Sequence, residues 1–569
     1  MTTPIALNPA SRAAAISSMS AGELDVLVVG GGIVGVGAAL DAVTRGLSTA
    51  LVEQRDLGSG TSSRSSKLVH GGLRYLEMFD FALVKEALEE RGLLLTRLAP
   101  HLVRPVPFLY PLAKAYERPY VGAGLALYDG LAMAGKYDMG VPKHKHLFRK
   151  QLARMAPDIR TDELHGAIRY YDCQVDDARL VMTIARTAAN NGAHIATRTK
   201  VTGFLREGGR VVGVRARDLE NGVDFEVRAR SVINAAGVWT DQIQEMMGGE
   251  GALDVDASKG VHLVVPRDRI RSECGFITKT EKSVLFVIPW GRHWIIGTTD
   301  TPWDLDRAHP AASRADIDYL LGHVNRLLKV PLDHEDVEGV YAGLRPLLKP
   351  MRKEAGGETT KLSREHTTVS PVPGLVLIAG GKLTTYRVMG RDAVDMAVRE
   401  RDQVRGSITD RVPLVGAYGF ETRTNQRVAL ARAAGLEIGR IDHLLGRFGG
   451  LVDEVLSLIQ ERPELARPLA QAEEYLAAEV VYAVTHEGAR HLDDVLTRRT
   501  RISIETFDRG VLAAREVASL MAQELGWDAG VADSEVDHYL RRVEAERQSQ
   551  RKLTDQEADE ARVQAPEIV

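Results

Sequence analysis

A glycine-rich turn between two short apolar runs near the N-terminus is the feature that most constrains how this chain folds. Residues 25–29 form an apolar run typical of a buried parallel strand, and the turn, residues 30–35, follows directly. An Ala-rich helical stretch covers residues 36–45, and residues 47–52 predict a second strand that ends at Glu53. The unit takes about thirty residues, as a βαβ motif requires.

The turn has the spacing G-x-G-x-x-G, with its glycines at Gly30, Gly32 and Gly35. The first glycine permits the tight turn, the second lets the backbone approach a pyrophosphate, and the third lets the helix pack closely on the strand. The helix N-terminus adds free N–H groups, and the Glu53 carboxylate can accept hydrogen bonds from ribose hydroxyls. The unit therefore predicts dinucleotide binding. The alternative is a glycine turn in an ordinary α/β domain.

A long polar loop, residues 58–67, follows Glu53 and leads into the sequence H-G-G-L-R-Y-L-E at residues 70–77. Its hydroxyls and amides can hold a second phosphate and a flavin ring. A domain that binds NAD more usually continues into another helix and strand. The loop therefore favours FAD over NAD.

The composition of the 569-residue chain is ordinary for a globular protein, with 44% hydrophobic and 26% charged residues. The net charge of −4 gives no global basic field, which argues against nucleic acid as a partner. Cys173 and Cys274 are the only cysteines, so the chain has no disulfide framework and suits a reducing compartment. No run of about 18 apolar residues predicts a membrane-spanning helix.

The remaining pattern predicts an α/β dinucleotide-binding domain that is interrupted by a sheet-containing substrate or cap domain and followed by an α-helical C-terminal domain. Glycine-flanked apolar runs recur at residues 231–237 and 374–381, and helical periodicity, as at residues 473–492, dominates after about residue 405. The predicted boundaries are a disordered leader at 1–22, an FAD-binding domain at 23–100, 175–258 and 355–405, a cap domain at 101–174 and 259–354, a helical domain at 406–545, and a polar, frayed tail at 546–569.

Four blocks resemble the signatures of FAD-dependent glycerol-3-phosphate dehydrogenases in order and spacing. They lie at residues 61–77, 170–180, 341–347 and 380–387. The helical region around residues 493–500 is also similar to the C-terminal domain of that family. The resemblance implies a Rossmann-like FAD-binding domain of the glutathione-reductase type, as in D-amino-acid oxidase.

The resemblance implies oxidation of sn-glycerol 3-phosphate to dihydroxyacetone phosphate, with hydride transfer to FAD and electrons passed to a quinone. It also implies a cytoplasmic enzyme in peripheral contact with the anionic inner face of the cytoplasmic membrane; homo-oligomerisation is left open. The nearest alternative is a glycerol-3-phosphate oxidase that uses oxygen, although no extra cap insert of the kind common in such oxidases is visible. An amino-acid oxidase of the same superfamily and a non-enzymatic flavin-binding sensor are more distant alternatives.

The resemblance and the two glycine-flanked runs give a set of residues that we expect to contact FAD. These are Gly30, Gly32, Ile33, Val34, Gly35, Glu53, Gln54, Thr61, Ser62, Ser63, Ser65, Ser66, Lys67, Leu68, Val201, Ala236, Gly237, Gly381, Lys382, Leu383 and Thr384.

For the substrate phosphate we expect Arg74, Arg345 and Lys382, because arginine presents a planar fork of donors and lysine adds a point charge. Tyr75 can pack on the substrate or donate a hydrogen bond to it. Lys382 lies in the turn after a predicted strand, where residues 384–385 can cap the next helix and the turn can face the flavin. The alternatives are surface cations and a buried aromatic residue.

Two histidines are candidates for the base that takes the proton of the substrate hydroxyl. His70 precedes two glycines, and His262 lies at the end of S-K-G-V-H. An imidazole with a pKa near neutrality suits proton transfer. His70 is slightly favoured, Arg345 can assist proton removal, and a purely structural role stays the alternative for either histidine.

Two histidine motifs invite a metal assignment that the residues do not support. His144 and His146 have no nearby carboxylate or cysteine cluster. His486-Glu487 resembles the start of H-E-x-x-H, but His491 comes one residue too late for the same helix face. No metal is predicted.

A mostly apolar segment, residues 107–135, has the mixture expected of an in-plane membrane anchor. It contains interfacial aromatics such as Tyr116 and Tyr120, and Asp129 counts against deep insertion unless it faces the protein. The cations that follow include Lys136, Lys143, Lys145, Arg149 and Lys150. The alternative is a buried cap-domain helix with a basic loop.

Overall fold

The structure is a computed structural model that describes residues 5–76, 78–248, 253–281, 284–348 and 366–565, without the side chain of Arg74. Its strands, in chain order, are β1 (Glu23–Val29), β2 (Thr49–Val52), β3 (Leu68–Val69), β4 (Arg104–Pro111), β5 (Lys145–Leu147), β6 (Ala167–Gln174), β7 (His194–Ala196), β8 (Thr199–Glu207), β9 (Arg210–Asp218), β10 (Val223–Asn234), β11 (Val255–Pro266), β12 (Gly275–Lys279), β13 (Val284–Trp290), β14 (His293–Gly297), β15 (Thr301–Trp303), β16 (Gly339–Leu348), β17 (His366–Val372), β18 (Leu375–Gly380), β19 (Pro468–Leu469) and β20 (Ala472–Leu476).

The α-helices are α1 (Pro9–Ala21), α2 (Ile33–Thr44), α3 (Phe81–Leu93), α4 (Glu117–Met133), α5 (Arg149–Met155), α6 (Asp177–Asn190), α7 (Thr240–Glu245), α8 (Arg314–Asn325), α9 (Tyr386–Val398), α10 (Phe420–Asn425), α11 (Arg427–Ala434), α12 (Ile438–Phe448), α13 (Val452–Glu461), α14 (Ala477–Thr485), α15 (Leu492–Asp494), α16 (Ile502–Glu505), α17 (Val511–Leu525), α18 (Ala529–Ser549) and α19 (Asp555–Arg562).

The first sheet has eight strands, of which β18, β10, β1, β2 and β7 lie side by side and parallel. Helices α2, α6 and α9 cover one face, and their apolar side chains share a core with those of the strands. Because the central strands are buried on both faces, they read as continuous apolar runs. All four of β1, β2, β10 and β18 end at the same edge, which is where ligands bind in open α/β sheets.

The close approach of α2 to β1 depends on the third glycine of the turn. A Cβ atom at Gly35 would lie 1.9 Å from the carbonyl oxygen of Gly30, so only glycine fits there. Gly30 itself has a φ of 110°, in the region that favours glycine. The turn between β1 and α2 is therefore fixed by sterics, as the spacing predicts.

The second sheet has ten strands, and its longest pairing is between the antiparallel strands β11 and β16. It draws strands from both predicted cap segments, but β11 begins at Val255, before the predicted boundary, and β3 comes from the segment assigned to the FAD domain. Helices α5 and α8 pack on one face, and α4 lies on the other. Residues 107–111 lie within β4, where Phe108 and Leu109 are fully buried, so including this run in a membrane anchor was wrong.

The C-terminal region is helical, with one large apolar core of its own that α12, α13, α14 and α17 share. The predicted helical periodicity at residues 473–492 is only partly realised. Residues 472–476 form strand β20 in a small hairpin with β19, and the helix α14 begins at Ala477.

Residues 5–22 of the segment predicted to be a disordered leader are instead built around the helix α1. Asn8 caps α1 by accepting a hydrogen bond from the backbone N–H of Ser11 at 2.9 Å. The buried side chain of Arg12 pairs with Asp218 at 2.5 Å, and Leu7 forms a backbone bridge to Glu487. The prediction was wrong because the partners of this segment lie far away in the sequence.

The described part of the C-terminal tail, residues 546–565, is also mostly helical, contrary to the prediction of a frayed segment. Helix α18 continues to Ser549, and α19 buries Ala558 and Arg562. Asp555, the first residue of α19, lies 2.5 Å from the ammonium group of Lys259 on β11. The tail therefore connects the helical region to the second sheet.

His491 lies between the carboxylates of Glu220 at 3.2 Å and Glu535 at 2.8 Å, joining the β9–β10 hairpin to α18. Although burial opposes protonation, the hydrogen bonds that the imidazole donates to Glu220 and Glu535 raise the pKa of His491 to about 9, from 6.5. Because the pKa of His491 is higher in the folded than in the unfolded protein, its protonation adds to the free energy of unfolding. This contribution is complete below pH 6.5 and is lost as the pH rises through about 9.

We expect His491→Gln to lower the free energy of unfolding by roughly 2–3 kcal/mol below pH 6.5 and by progressively less as the pH rises through 9. Urea unfolding of both proteins across this range measures the difference. Glu220→Gln removes one of the two carboxylates, so the free energy of unfolding of this variant should also depend less on pH than that of the unchanged protein. A His491→Gln effect that stays constant from pH 6 to pH 10 would contradict this assignment.

Candidate active site

Two cavities meet at the carboxyl edge of the first sheet. The larger has a volume of about 420 Å³, and the smaller has about 270 Å³. Their linings overlap at Ile33, Thr61, Ser62, Pro346 and residues 381–383. Together they form one elongated space that runs from the end of β2 to strands β11 and β16 of the second sheet.

The larger cavity, which we call the nucleotide cavity, begins at the turn before α2. The Glu53 carboxylate at the end of β2 accepts hydrogen bonds from the backbone N–H of Gly31 at 2.6 Å and of Arg55 at 2.7 Å. Burial raises the pKa of the Glu53 carboxyl, although these two N–H groups oppose the change. Glu53 therefore lies at the wall of the nucleotide cavity.

The polar loop after Glu53 closes over the N-terminus of α2. The Ser62 hydroxyl accepts a hydrogen bond from the backbone N–H of Ile33 at 2.9 Å, and Thr61 donates to the carbonyl of Leu344 on β16 at 2.6 Å. A Cβ atom at Gly32 would lie 3.2 Å from the Ser62 oxygen. The loop therefore brings hydroxyl groups to the positive end of the helix, where an anion is stabilised.

Most of the residues predicted to contact FAD line these two cavities. The nucleotide cavity is lined by Gly30, Gly32, Ile33, Val34, Glu53, Gln54, Thr61, Ser62, Val201, Ala236, Gly237, Gly381, Lys382 and Leu383. The smaller cavity, which we call the substrate cavity, adds Ser65, Ser66, Leu68 and Thr384.

Three predicted FAD contacts have other roles. Gly35 serves the packing of α2 on β1. The side chain of Lys67 is fully buried, pairs with Asp177 at 2.8 Å and donates to the carbonyl of Ser63 at 3.1 Å. Lys67 and Ser63 thus hold the loop from behind, and neither residue lines the two cavities. No local pattern marks Asp177 as the partner of Lys67.

Arg345 enters the substrate cavity from β16, opposite Ser258 on β11. Its guanidinium donates to Asp300 at 3.2 Å and to the hydroxyl of Thr298 at 3.2 Å. A Cβ atom at Gly260 would lie 2.6 Å from the guanidinium, so the glycine leaves room for it. Asp300 and Thr298 were not identified from the sequence as partners of Arg345. Both residues follow β14 and belong to no recognisable motif.

Lys382 lies in the turn after β18, and its ammonium is 3.8 Å from the centre of the Tyr75 ring. Both side chains line the substrate cavity. A cation over an aromatic face is stabilised by the ring quadrupole, so the pair is held together. The side chain of Arg74, predicted to bind phosphate, lies outside the described part of the structure, and its position is not described.

The backbone of His70 is fixed to the turn that follows β18. Its N–H donates to the Thr384 hydroxyl at 3.1 Å, and the hydroxyl donates back to its carbonyl at 3.3 Å. Thr384 therefore does not cap α9 with its side chain, as the sequence suggested; it positions His70. The next residue, Gly71, donates to the hydroxyl of Tyr128, which in turn donates to Asp172 at 2.7 Å.

His262 also lines the substrate cavity but is buried among side chains. Its Nε2 atom lies 2.8 Å from the Ser66 hydroxyl, and its ring stacks on Tyr341 with centroids 4.7 Å apart. Burial, followed by the charges of Arg345 and Lys67, holds the pKa of His262 well below its usual value. The imidazole is therefore neutral near pH 7.

The other histidine motifs have protein partners. The Nδ1 atom of His144 lies 2.7 Å from Asp129, which therefore faces the protein. His486 stacks on Tyr482, and Glu487 pairs with Arg179. Within the described residues, no group of three or more His, Cys, Asp or Glu side chains is placed to hold a metal ion.

The two joined cavities fit FAD in the chemistry of their walls, with a helix N-terminus, a carboxylate and hydroxyls along one and cations along the other. A family model described as FAD dependent oxidoreductase matches residues 25–396, and one described as the C-terminal domain of alpha-glycerophosphate oxidase matches residues 407–531. The chain belongs to the FAD-dependent oxidoreductase family. The predicted fold class and the FAD cofactor of this flavoprotein are thereby confirmed.

Three proteins of known name resemble this flavoprotein over more than nine tenths of its length. Glycerol-3-phosphate dehydrogenase 2 of Mycobacterium tuberculosis is 55% identical over 564 residues, which are 99% of this chain and 95% of the relative. The mitochondrial glycerol-3-phosphate dehydrogenase of Homo sapiens is 37% identical, over 92% of this chain and 74% of the relative. The X-ray structure of glycerol-3-phosphate dehydrogenase from Bacillus halodurans, complexed with FAD, has a TM-score of 0.77 and 30% identity, over 94% of this chain and 98% of that chain.

We expect Gly32→Val to abolish retention of FAD, because its side chain would enter the nucleotide cavity beside Ser62. The flavin absorbance of the purified protein, relative to its protein absorbance, measures the loss. Gly22→Val is the matched control, since no atom lies within 4 Å of a Cβ atom at that position. A yellow Gly32→Val protein with normal flavin content would show that the dinucleotide does not approach this turn.

Proposed function

We propose that this flavoprotein oxidises glycerol 3-phosphate to dihydroxyacetone phosphate and passes the electrons to a membrane quinone. The names of the relatives support the substrate. The observation that carries the proposal is that the side chains of Arg345, Lys382, Tyr75 and His70 line one cavity of about 270 Å³ that opens into the nucleotide cavity. A phosphate, an alcohol and a hydride acceptor can therefore meet there.

Arg345 is the principal phosphate ligand in this proposal. Asp300 and Thr298 hold its guanidinium in place before substrate arrives, and the plane of the fork can match two phosphate oxygens. Holding the cation in advance reduces the conformational entropy lost on binding. Lys382 adds a second charge, directed by the face of the Tyr75 ring.

His70 is the proposed base. Its backbone is anchored to Thr384 beside the turn that carries Lys382, so its imidazole is placed relative to both the cofactor wall and the phosphate site. His262 is the weaker candidate, because its Nε2 atom is engaged by Ser66 and its depressed pKa makes it a poor proton acceptor. When bound, FAD supplies the hydride acceptor. The chain's residues hold the substrate hydroxyl and remove its proton.

We expect Arg345→Ala to lower kcat/KM for glycerol 3-phosphate, measured with a dye acceptor, by roughly 30-fold to several thousand-fold while FAD stays bound. The loss of a charged partner to a buried phosphate costs on the order of 2–5 kcal/mol. Arg345→Lys should recover little activity, because the fork is lost. Arg326→Ala, at a solvent-exposed ion pair with Glu281, is the control. Near-normal turnover of Arg345→Ala would remove this residue from the site.

We expect His70→Asn to lower kcat by roughly 10²–10⁴-fold, the usual contribution of a positioned general base, with little change in KM. His262→Asn should act mainly through stability and flavin binding, because the ring packs on Tyr341. Steady-state kinetics on holoenzyme of equal flavin content separates the two histidines. If His262→Asn loses kcat and His70→Asn does not, the roles are reversed.

The electron acceptor distinguishes the proposed dehydrogenase from an oxidase. An oxidase would consume oxygen in step with glycerol 3-phosphate, and a dehydrogenase would need the dye or a quinone. Parallel assays with an oxygen electrode and a short-chain quinone decide between them. If oxygen is consumed as fast as the dye is reduced, the electron acceptor is oxygen and not a quinone.

A quinone is lipid-soluble, so we propose that the surface around α4 touches the membrane. None of the helices in the described part of the chain is long and apolar enough to cross a bilayer. The exposed apolar residues on or beside α4 are Tyr116, Tyr120, Leu127, Met133 and Phe148. Lys143, Lys145, Arg149 and Lys150 are exposed next to them, as an interfacial contact with anionic headgroups needs.

We expect the protein to co-sediment with liposomes that contain anionic lipid, and less so at high salt. Changing Lys143, Lys145, Arg149 and Lys150 together to Glu should reduce binding and leave dye-linked activity intact, because these side chains do not line the substrate cavity. A control with four other exposed cations changed to Glu, Arg206, Arg215, Arg217 and Arg228, should bind normally. Unchanged binding by the first variant would move the contact elsewhere.

A further inference from the structure

A cluster of arginines lies where the polar loop of residues 58–67, the flavin loop, meets the C-terminal helices. One of them, Arg64, also lines the substrate cavity. Two small cavities of about 70 and 50 Å³ adjoin there. Both are lined by Arg64, His309, Arg498, Arg542 and Arg562. We call this space the arginine cavity. It joins the loop after β2, the segment before α8, and helices α18 and α19.

The positive charge of this cavity exceeds the negative charge of its walls. Arg498 is neutralised from behind by Asp56 at 2.5 Å and Asp494 at 2.6 Å. Arg64, in contrast, donates to the carbonyl of Ala308 at 3.1 Å, and no carboxylate of the described residues pairs with it.

The remaining two guanidiniums share few acceptors. Arg542 and Arg562 both reach the same oxygen of Glu546, at 3.3 and 3.2 Å. Arg542 also contacts Asp493, which already accepts from Arg498. Arg542 and Arg562 thus share two carboxylates, Asp493 and Glu546, and Asp493 is also used by Arg498.

Donor atoms without acceptors accompany this excess of charge. Arg562 is only 3% exposed, and its Nη1 atom is buried with no hydrogen-bond partner among the described residues; the same holds for Nε of Arg542. Buried donors normally have partners, so such atoms ask for an explanation. Burial, reinforced by Arg542, Arg562 and Arg498, lowers the pKa of Arg64 to about 9. The walls of the cavity therefore present more guanidinium donors than they have acceptors for.

We propose that the arginine cavity binds a phosphoryl dianion, either inorganic phosphate or the phosphate end of a small ester. A water-sized site needs roughly 10–15 Å³, so cavities of about 70 and 50 Å³ hold several heavy atoms, which is the size of a phosphate group. Guanidinium forks match phosphate oxygens in geometry. Arg498, Arg542 and Arg562 do not line the substrate cavity that holds Arg345, and Arg64 lies between the two spaces. The proposal does not depend on the proposed function.

Through Arg64, an anion bound in the arginine cavity would affect the loop that lines the nucleotide cavity. Arg64 belongs to the loop whose hydroxyls line the nucleotide cavity, and a Cβ atom at Gly343 would lie 2.5 Å from its carbonyl oxygen. The anion would join this loop to α18 and α19 through Arg542 and Arg562. Occupancy should therefore stabilise the docking of the C-terminal helices and the retention of FAD.

The experiment is an isothermal titration of the holoenzyme with inorganic phosphate at fixed ionic strength. The Arg345→Ala background weakens phosphate binding at the substrate site, so that the arginine cavity is measured alone. We expect this variant to bind one phosphate, and the addition of Arg562→Gln to raise the Kd at least tenfold. Arg541→Gln, an exposed neighbour of Arg542, should leave the Kd unchanged.

Two further variants keep the result interpretable. If Arg562→Gln loses FAD or unfolds, Arg562→Lys retains the charge without the fork and should still raise the Kd several-fold. Titration with glycerol 3-phosphate in place of phosphate, again in the Arg345→Ala background, shows whether the site takes esters or only the free anion. Absence of phosphate binding in the Arg345→Ala protein, or binding that neither Arg562 variant weakens, would overturn the proposal.

Discussion

The shared edge at which the parallel strands end is the constraint on which the rest of this structure depends. β1, β2, β10 and β18 run in one direction, so the residues that follow them, Gly30, Glu53, Ala235 and Gly381, meet at one place although they are far apart in sequence. The helix α2 begins at that edge and turns its free N–H groups toward it. A dinucleotide site is the consequence of this topology. The second sheet, through β16, supplies the opposite wall of the site.

One loop connects the two cavities and is held from several sides. Ser62 meets the N-terminus of α2, Ser65 donates to Asp177 at the start of α6, and His70 is bound to Thr384 beside β18. A polar loop with so many fixed hydrogen bonds is ordered before a ligand arrives, which lowers the entropic cost of binding. These bonds explain why a stretch rich in serine and threonine, typical of mobile surface segments, is buried or half-buried over residues 58–67.

Local patterns predicted the parts of the fold that depend on neighbours in sequence. The βαβ unit and its glycines were found because strand, turn and helix each fit within about thirty residues. The burial of Lys67 was not foreseen because its partner Asp177 begins another helix, and α1 was missed because Arg12 depends on Asp218. Arg345 was found from its motif, whereas Asp300, which orients it, follows an unremarkable strand. Long-range ion pairs leave no periodic signal, so sequence reasoning does not detect them.

The C-terminal helices reach the same loop from behind, which gives them a part in the site that their distance in sequence conceals. Arg501 pairs with Asp176 at 2.5 Å and also contacts Asp177, the carboxylate that holds Lys67. These charges are almost fully buried, so the removal of one partner would leave another uncompensated at a cost of about 3–5 kcal/mol. The conformation of the flavin loop is therefore coupled to the docking of the helical region. A C-terminal domain whose described residues do not line the substrate cavity can still determine whether the flavin loop keeps its shape.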